Sequence, residues 1–275
     1  MVKQEREDTM AERIMLFIPM YNCEKQIVRV LQKLHQVQSR IDEIVIVNNR
    51  STDDGENAAI NSLEKIAPTC KATVLRNRQN YGLGGSHKVA FKYALRNNYD
   101  FCLVLHGDDQ GDINDLLLEL DQGNHRIYDC LLNSRFMQGA RRVGYSKIRT
   151  FGNLAFNLLF SLASGRRQYD LGSGLCCYSR KFLASGITGM CSDDLTFNYT
   201  LQLHAAARGI SQKFFPSIWI EDDQISNVKL VRQTGQMINI LLSFIFERKS
   251  YLSKSSGKPG FEYEADVIYQ RSGEY

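Results

Sequence analysis

Along the first 120 residues, apolar and polar positions alternate in blocks. Ile14 to Ile18 is a short apolar run that ends at Pro19, which predicts a buried strand opening into a loop. From Glu24 to Val37 the residues Ile27, Val30, Leu31 and Leu34 recur at helical spacing, and Ile41 to Val47 is a second β-rich run. The polar cluster Asn48 to Gly55 ends it and suits a loop and a helix start. A helix from Glu56 to Ile66, a strand from Ala72 to Leu75, a helix from Ser86 to Arg96, the strand Phe101 to Leu105 and the helix Ile113 to Leu120 continue the alternation. This pattern predicts an α/β fold, a mostly parallel central sheet flanked by helices. Ligands of such sheets bind beyond the carboxyl ends of the strands. Polar residues collect there: Tyr21-Asn22, Asn48 to Asp54, and His106 to Asp112.

The second half is less regular. Leu131 to Phe136 and Leu175 to Tyr178 read as strands, Phe151 to Ala163 and Leu195 to Arg208 as helices. After the run Phe214 to Ile220 comes a last apolar helix around Met237 to Phe246, and the Ser/Lys/Gly/Pro stretch from Ser250 reads as a flexible arm. The expected organisation is one domain over 1–230 and a C-terminal amphipathic helix with a flexible tail over 231–275.

Composition narrows the class. The 275 residues are 43% hydrophobic, enough for a substantial core. A formal net charge of +4 is too mild to indicate nucleic acid and suits a protein that meets phosphates or an anionic membrane face. Seven cysteines without a CxxC pair or zinc spacing point to reduced thiols in a cytosol. The polar N-terminal segment does not read as an export signal, and no segment reaches the ~20 apolar residues of a spanning helix. The helix Phe151 to Ala163 is apolar on most of its circumference and lies between Arg141, Arg142, Lys147 and Arg149 on one side and Arg166 and Arg167 on the other. Met237 to Phe246, followed by Arg248 and Lys249, repeats the theme. Such helices suit the headgroup region of an anionic membrane, hence peripheral contact with its cytoplasmic face; packing in the core or a homodimer face are the other readings.

Two segments carry chemistry. In Leu103 to Asp112 several acidic residues are released at the end of an apolar strand, where clustered carboxylates suit a hard divalent ion such as Mn²⁺ or Mg²⁺ completed by substrate phosphates. Asp108 is the metal candidate; Asp112 is placed to cap the following helix. Arg76 to Lys88 is a glycine-rich turn opening a helix, where backbone N–H groups and Lys88 can meet a phosphate. It matches neither the P-loop nor the dinucleotide fingerprint.

Taken in order, these pieces resemble the family 2 glycosyltransferases of GT-A fold, and most closely their dolichyl- or polyprenyl-phosphate sugar transferase branch. Ile18 to Asn22 looks like the family's strand-ending P-x-Y-N, Val47 to Gly55 like its nucleotide loop V-D-D-G-S-T-D-G, and Asn80 to Ala94 like its N-x-G-x-G helix. His106 to Gln110 stands where the family has D-x-D or D-A-D-x-Q; Ser134-Arg135-Phe136 resembles G-S-R-[FY], and Asp170 to Gly174 resembles D-x-x-S-G. The likeness covers residues 14 to 230. It departs at Asn48-Asn49-Arg50, where the family has Asp-Asp-Gly, and at His-Gly-Asp in place of Asp-x-Asp.

The resemblance implies a nucleoside diphosphate sugar (UDP- or GDP-linked) as donor, a lipid-linked or saccharide acceptor, and inverting transfer in surface polysaccharide or glycolipid biosynthesis. It assigns Asp108 to the metal, with His106 or Asp109 as helper, and Asp194 or Asp193 to the base that takes the acceptor proton. It assigns substrate contacts to Pro19, Tyr21, Asn22, Asn49, Ser51, Asn80, Gly84, Lys88, Gly107, Asp109, Gln110, Arg135 and Ser173. Two other readings are a sugar-phosphate nucleotidyltransferase, which would carry a Gly/Arg-rich loop after the first strand, and a transferase-like binding protein without activity.

Overall fold

The computed structural model describes residues 12–34, 37–172, 174–222 and 230–273. Its centre is an eight-stranded sheet. Strands β1 (Ile14–Met20), β2 (Glu43–Asn48), β3 (Lys71–Asn77) and β4 (Phe101–Leu105) alternate with helices α1 (Glu24–Leu34), α2 (Gly55–Ile66) and α3 (Gly82–Arg96). Then follow α4 (Ile113–Asp121), α5 (Asn124–Ile127), β5 (Cys130–Ser134), β6 (Arg141–Val143), α6 (Lys147–Ser164) and β7 (Leu175–Ser179). The chain continues through α7 (Arg180–Ala184), α8 (Ile187–Met190), α9 (Phe197–Ala207), β8 (Gln212–Pro216), β9 (Ile218–Ile220), α10 (Leu230–Phe246), α11 (Arg248–Ser253) and β10 (Ala265–Arg271).

In space the strands run β10-β3-β2-β1-β4-β7-β5-β8. The pairs among β1 to β4 and the pair β5–β8 are parallel, while β7 and β10 run against their neighbours. The mostly parallel α/β architecture is as expected, and burial explains why it was readable. Leu16, Ile18 and Met20 of β1 enter the core under α1, α2 and α4, while Met15 and Phe17 enter the core under α3 and α9. A strand buried on both faces becomes a continuous apolar run.

The run Phe214 to Ile220 is divided: Pro216, which has no N–H for a ladder, ends β8, and β9 crosses to a small second sheet with β6. One expectation is corrected. The segment after Ser250, expected to be a flexible arm, contains α11 and then β10, which pairs antiparallel with β3 and closes that edge of the sheet. α6 and α10 each bury one side in a third core built from Phe160, Leu171, Tyr199, Leu203, Met237, Leu241 and Phe244, and expose the other. No helix among the described residues is long and apolar enough to cross a membrane.

Candidate active site

The chain builds β1, β2 and β3 outward in one direction and then returns to place β4 on the other side of β1. Loops leaving β1 and β4 therefore diverge, and a crevice of about 610 Å³ opens beyond their carboxyl ends. Side-chain amides and hydroxyls fix its walls. Asn22 N donates to Ser51 Oγ at 3.1 Å and Asn22 Oδ1 accepts from Thr52 N at 2.7 Å, tying the first loop to the second. Asn49 Nδ2 donates to Asn80 Oδ1, and Asn49 Oδ1 accepts from Asn77 Nδ2 and Tyr81 N, all at 2.9 Å. This joins the second loop to the start of α3 and leaves one Asn49 N–H unspent. Arg50 holds a φ of +64°, the left-handed conformation that glycine adopts freely, at the position where the nucleotide loop it resembles has glycine.

The floor is the loop after β4. Gly107 N donates to Pro19 O at 3.1 Å, and a Cβ at Gly107 would sit tightly at 3.0 Å from that same oxygen, so glycine lets the loop lie at this depth without strain. Asp108, half-buried, lines the crevice together with His106 and Gln110. Burial pushes the Asp108 carboxyl up to about 6. Burial, assisted by the Arg135 cation, holds His106 down at about 4, so its ring is neutral near pH 7; Nε2 is buried and has no hydrogen-bond partner. A carboxylate and a neutral imidazole are both metal donors. No group of three or more His, Cys, Asp or Glu side chains suited to a metal occurs among the described residues, so an ion here would take its remaining ligands from substrate or water.

Asp194 lines the crevice with Leu195, close to Gly82 at the start of α3. Asp194 Oδ1 accepts from Thr196 N at 2.8 Å and Thr196 Oγ1 at 2.5 Å, and Oδ2 accepts from Gln236 Nε2 at 3.0 Å. A carboxylate with about four acceptor sites retains one for an incoming hydroxyl. Gly144 and Arg149, which no motif marks as site residues, also line the crevice, as do Glu221 and Asp222 of an acidic cluster that reads from the sequence as a solvated or acceptor-side loop. Arg149 Nη1 donates to both Glu221 oxygens at 2.8 and 2.7 Å, a pairing between residues far apart in the chain that no local motif announces.

Of the nominated residues, Pro19, Tyr21, Asn22, Asn49, Asn80, His106, Gly107, Asp108, Gln110 and Asp194 come together in this crevice. Six others do not. Ser51 supports the loops from behind, its N donating to Asn48 Oδ1 at 2.8 Å. Asp109, at φ +61°, turns away to Arg29 (2.8 Å) and Lys33 (2.6 Å) of α1. Arg135 is buried in a two-pronged pair with Asp170 at 2.8 and 2.7 Å. Lys88 lies beneath the crevice wall, donating to Cys191 O (2.7 Å), Asp193 Oδ1 (2.7 Å) and Tyr263 Oη (3.2 Å). Asp193 is thereby removed from the base candidates, since Tyr263 Oη (2.9 Å) and Lys258 N (2.6 Å) also donate to it. Gly84 is a packing glycine: a Cβ there would run into the Ser192 carbonyl and the Phe197 ring. Ser173 lies outside the described residues.

Residues 15–184 match the family model described as Glycosyl transferase family 2, which spans more than half of the chain. Among solved structures, glucosyl-3-phosphoglycerate synthase from Mycobacterium tuberculosis in complex with uridine diphosphate is similar at a TM-score of 0.60 and 14% identity, covering 96% of this chain and 91% of that one. The same synthase in complex with Mn²⁺, UDP-glucose and phosphoglyceric acid gives 0.59 and 16%, covering 96% and 90%. At such identities the likeness is one of fold. No curated protein matches the sequence.

Proposed function

The chain belongs to glycosyl transferase family 2, and from that premise we propose that it moves a sugar from a UDP- or GDP-linked donor to an acceptor, inverting the anomeric centre, with a divalent cation bound at Asp108. The observation that carries the reading is the half-buried Asp108 carboxylate, which lines the crevice at the β1/β4 switch point together with His106, whose buried Nε2 has no hydrogen-bond partner. The synthase of like fold has been crystallised with Mn²⁺ and UDP-glucose, which supports the choice of donor class and ion.

Asp108 and His106 would hold the ion; when bound it neutralises charge on the departing nucleoside diphosphate. The protein's own residues do the rest. Tyr21, exposed at the rim, offers a ring face to the base, and the spare Asn49 N–H and the Asn80 side chain lie on the wall beside it. Asp194, on the crevice wall, accepts the acceptor's hydroxyl proton at its remaining site as the new bond forms. An acceptor that is already an anionic phosphate needs no base, and there Asp194 only orients. The reading favours a lipid-linked acceptor over a free saccharide, as in the polyprenyl-phosphate sugar transferases the motifs resemble, because α6 and α10, which expose apolar side chains, reach this same wall through Arg149 and Gln236.

Purified protein incubated with UDP- and GDP-sugars and Mn²⁺ or Mg²⁺ should consume one donor, and Asp108→Asn should lower that rate by about a hundredfold or more. Donor consumption unaffected by Asp108→Asn removes the proposed metal role; no consumption or binding of any nucleotide sugar leaves a transferase fold without transfer.

A further inference from the structure

α6 is built inside out for a soluble helix. Its buried side includes Asn157, whose Nδ2 donates to Tyr169 O at 2.7 Å, while Ile148, Phe151, Leu154, Leu158, Leu159 and Leu162 form its outer face. At 100° per residue these six fall within one stripe opposite Phe160, the residue that anchors the helix to the core. On α10, Val231, Ile238, Leu242, Ile245 and Phe246 form a second outward stripe, while Met237, Leu241 and Phe244 face the same core as Phe160. The exposed side chains on both helices are 44–89% accessible. Two helices packed on one core thus present large apolar residues in continuous rows, which isolated surface hydrophobics on a monomer do not do.

The ends of these rows are cationic. Lys147 begins α6 and Arg166 and Arg167 follow it; Arg232 stands in the first turn of α10 and Arg248 and Lys249 follow that helix, all exposed. Glu247 is the acidic residue among them. A second copy docking by two-fold symmetry would set cation against cation, which opposes association. Anionic headgroups complement the same pattern, and helices too short and too amphipathic to span lie in the plane of the interface with cationic residues at the headgroup level.

We propose that the outer faces of α6 and α10 form a docking surface for an anionic lipid bilayer, into which both helices sink in the plane of the membrane. This goes beyond the transfer reading and is tested without it. The inner sides of the same helices reach the crevice, α6 through Arg149 and α10 through the Gln236 contact to Asp194.

The full chain is floated with phosphatidylcholine vesicles, with and without phosphatidylglycerol, at low and high salt. Binding should require the anionic lipid and weaken with salt. Leu158→Glu and Leu242→Glu should each weaken it by about tenfold or more, as should Arg166→Ala with Arg167→Ala, with circular dichroism and melting unchanged. Equal partitioning to neutral and anionic vesicles, or to neither, overturns the proposal. So does unaltered binding by the glutamate variants, or a dimer in sedimentation that Leu158→Glu splits into monomers. None of these outcomes depends on sugar transfer, so docking and catalysis fail separately.

Discussion

Lys88→Met distinguishes a structural clamp from a phosphate ligand. In the folded protein the ammonium makes three contacts, to Asp193 Oδ1 and Cys191 O at 2.7 Å and to Tyr263 Oη at 3.2 Å, and the Lys88 and Asp193 side chains are only 5% and 3% exposed. Methionine preserves most of the stem and deletes the charge. Asp193 then keeps Tyr263 Oη and Lys258 N as donors but loses its cation. Removing one partner of a buried ion pair costs about 3–5 kcal/mol, because the remaining charge is left uncompensated. The two surviving donors place this case at the low end, about 3 kcal/mol, which for a chain of this size lowers the Tm by roughly 6–12 °C. Replacing both partners, Lys88→Met with Asp193→Leu, should restore much of the loss, since an apolar pair of similar volume carries no stranded charge. Thermal melts and urea titrations read both variants, and donor KM is measured alongside. A single variant that melts within about a degree of the parent while its donor KM rises about tenfold would refute the clamp, because the ammonium would then be spending its charge on substrate.

The Asp108 carboxyl titrates near 6 in the fold, above its ordinary value, so the metal-free folded protein holds that proton more tightly than the unfolded chain does. The destabilisation from ionising it is absent below about pH 4, grows as pH rises, and is complete above about pH 6. Asp108→Asn should therefore raise the Tm of metal-free protein at neutral pH, with the gain fading towards pH 4; a gain that does not change with pH counts against burial as its cause. Gly84→Ala should cost several kcal/mol, roughly 2–4, because its Cβ meets the Ser192 carbonyl and the Phe197 ring, whereas Gly152→Ala in α6, whose Cβ would meet open space, should add about 1 kcal/mol; equal melts for the two would contradict the packing described.

The alternation of the first half was legible because each strand is buried on both faces and each loop carries turn chemistry of its own. β10 was not: Ala265 to Arg271 mixes charged and apolar residues on an edge with little burial, and its partner β3 lies far earlier in the chain. The crevice walls could be read from local motifs, since Tyr21, Asn49, Asn80 and Asp108 each follow a strand or open a helix. The charged residues misled for a common reason. Lys88, Asp109 and Arg135 advertise charge, but their partners Asp193, Lys33 and Asp170 stand 105, 76 and 35 positions away. A local pattern shows that a charge exists and is silent about which distant group will neutralise it.

The late strand β10 has a consequence for synthesis. Gln270 meets Thr73 across 197 positions, so on the ribosome the outer rim of β3 stays uncapped while nearly all the intervening chain is made. An uncapped rim is a template for other strands, which makes the nascent polypeptide prone to mispairing in that interval and a natural client for holding chaperones. The same late segment supplies Tyr263 and the Lys258 amide to Asp193, so the ring of contacts behind the crevice wall is completed only when translation has passed those residues.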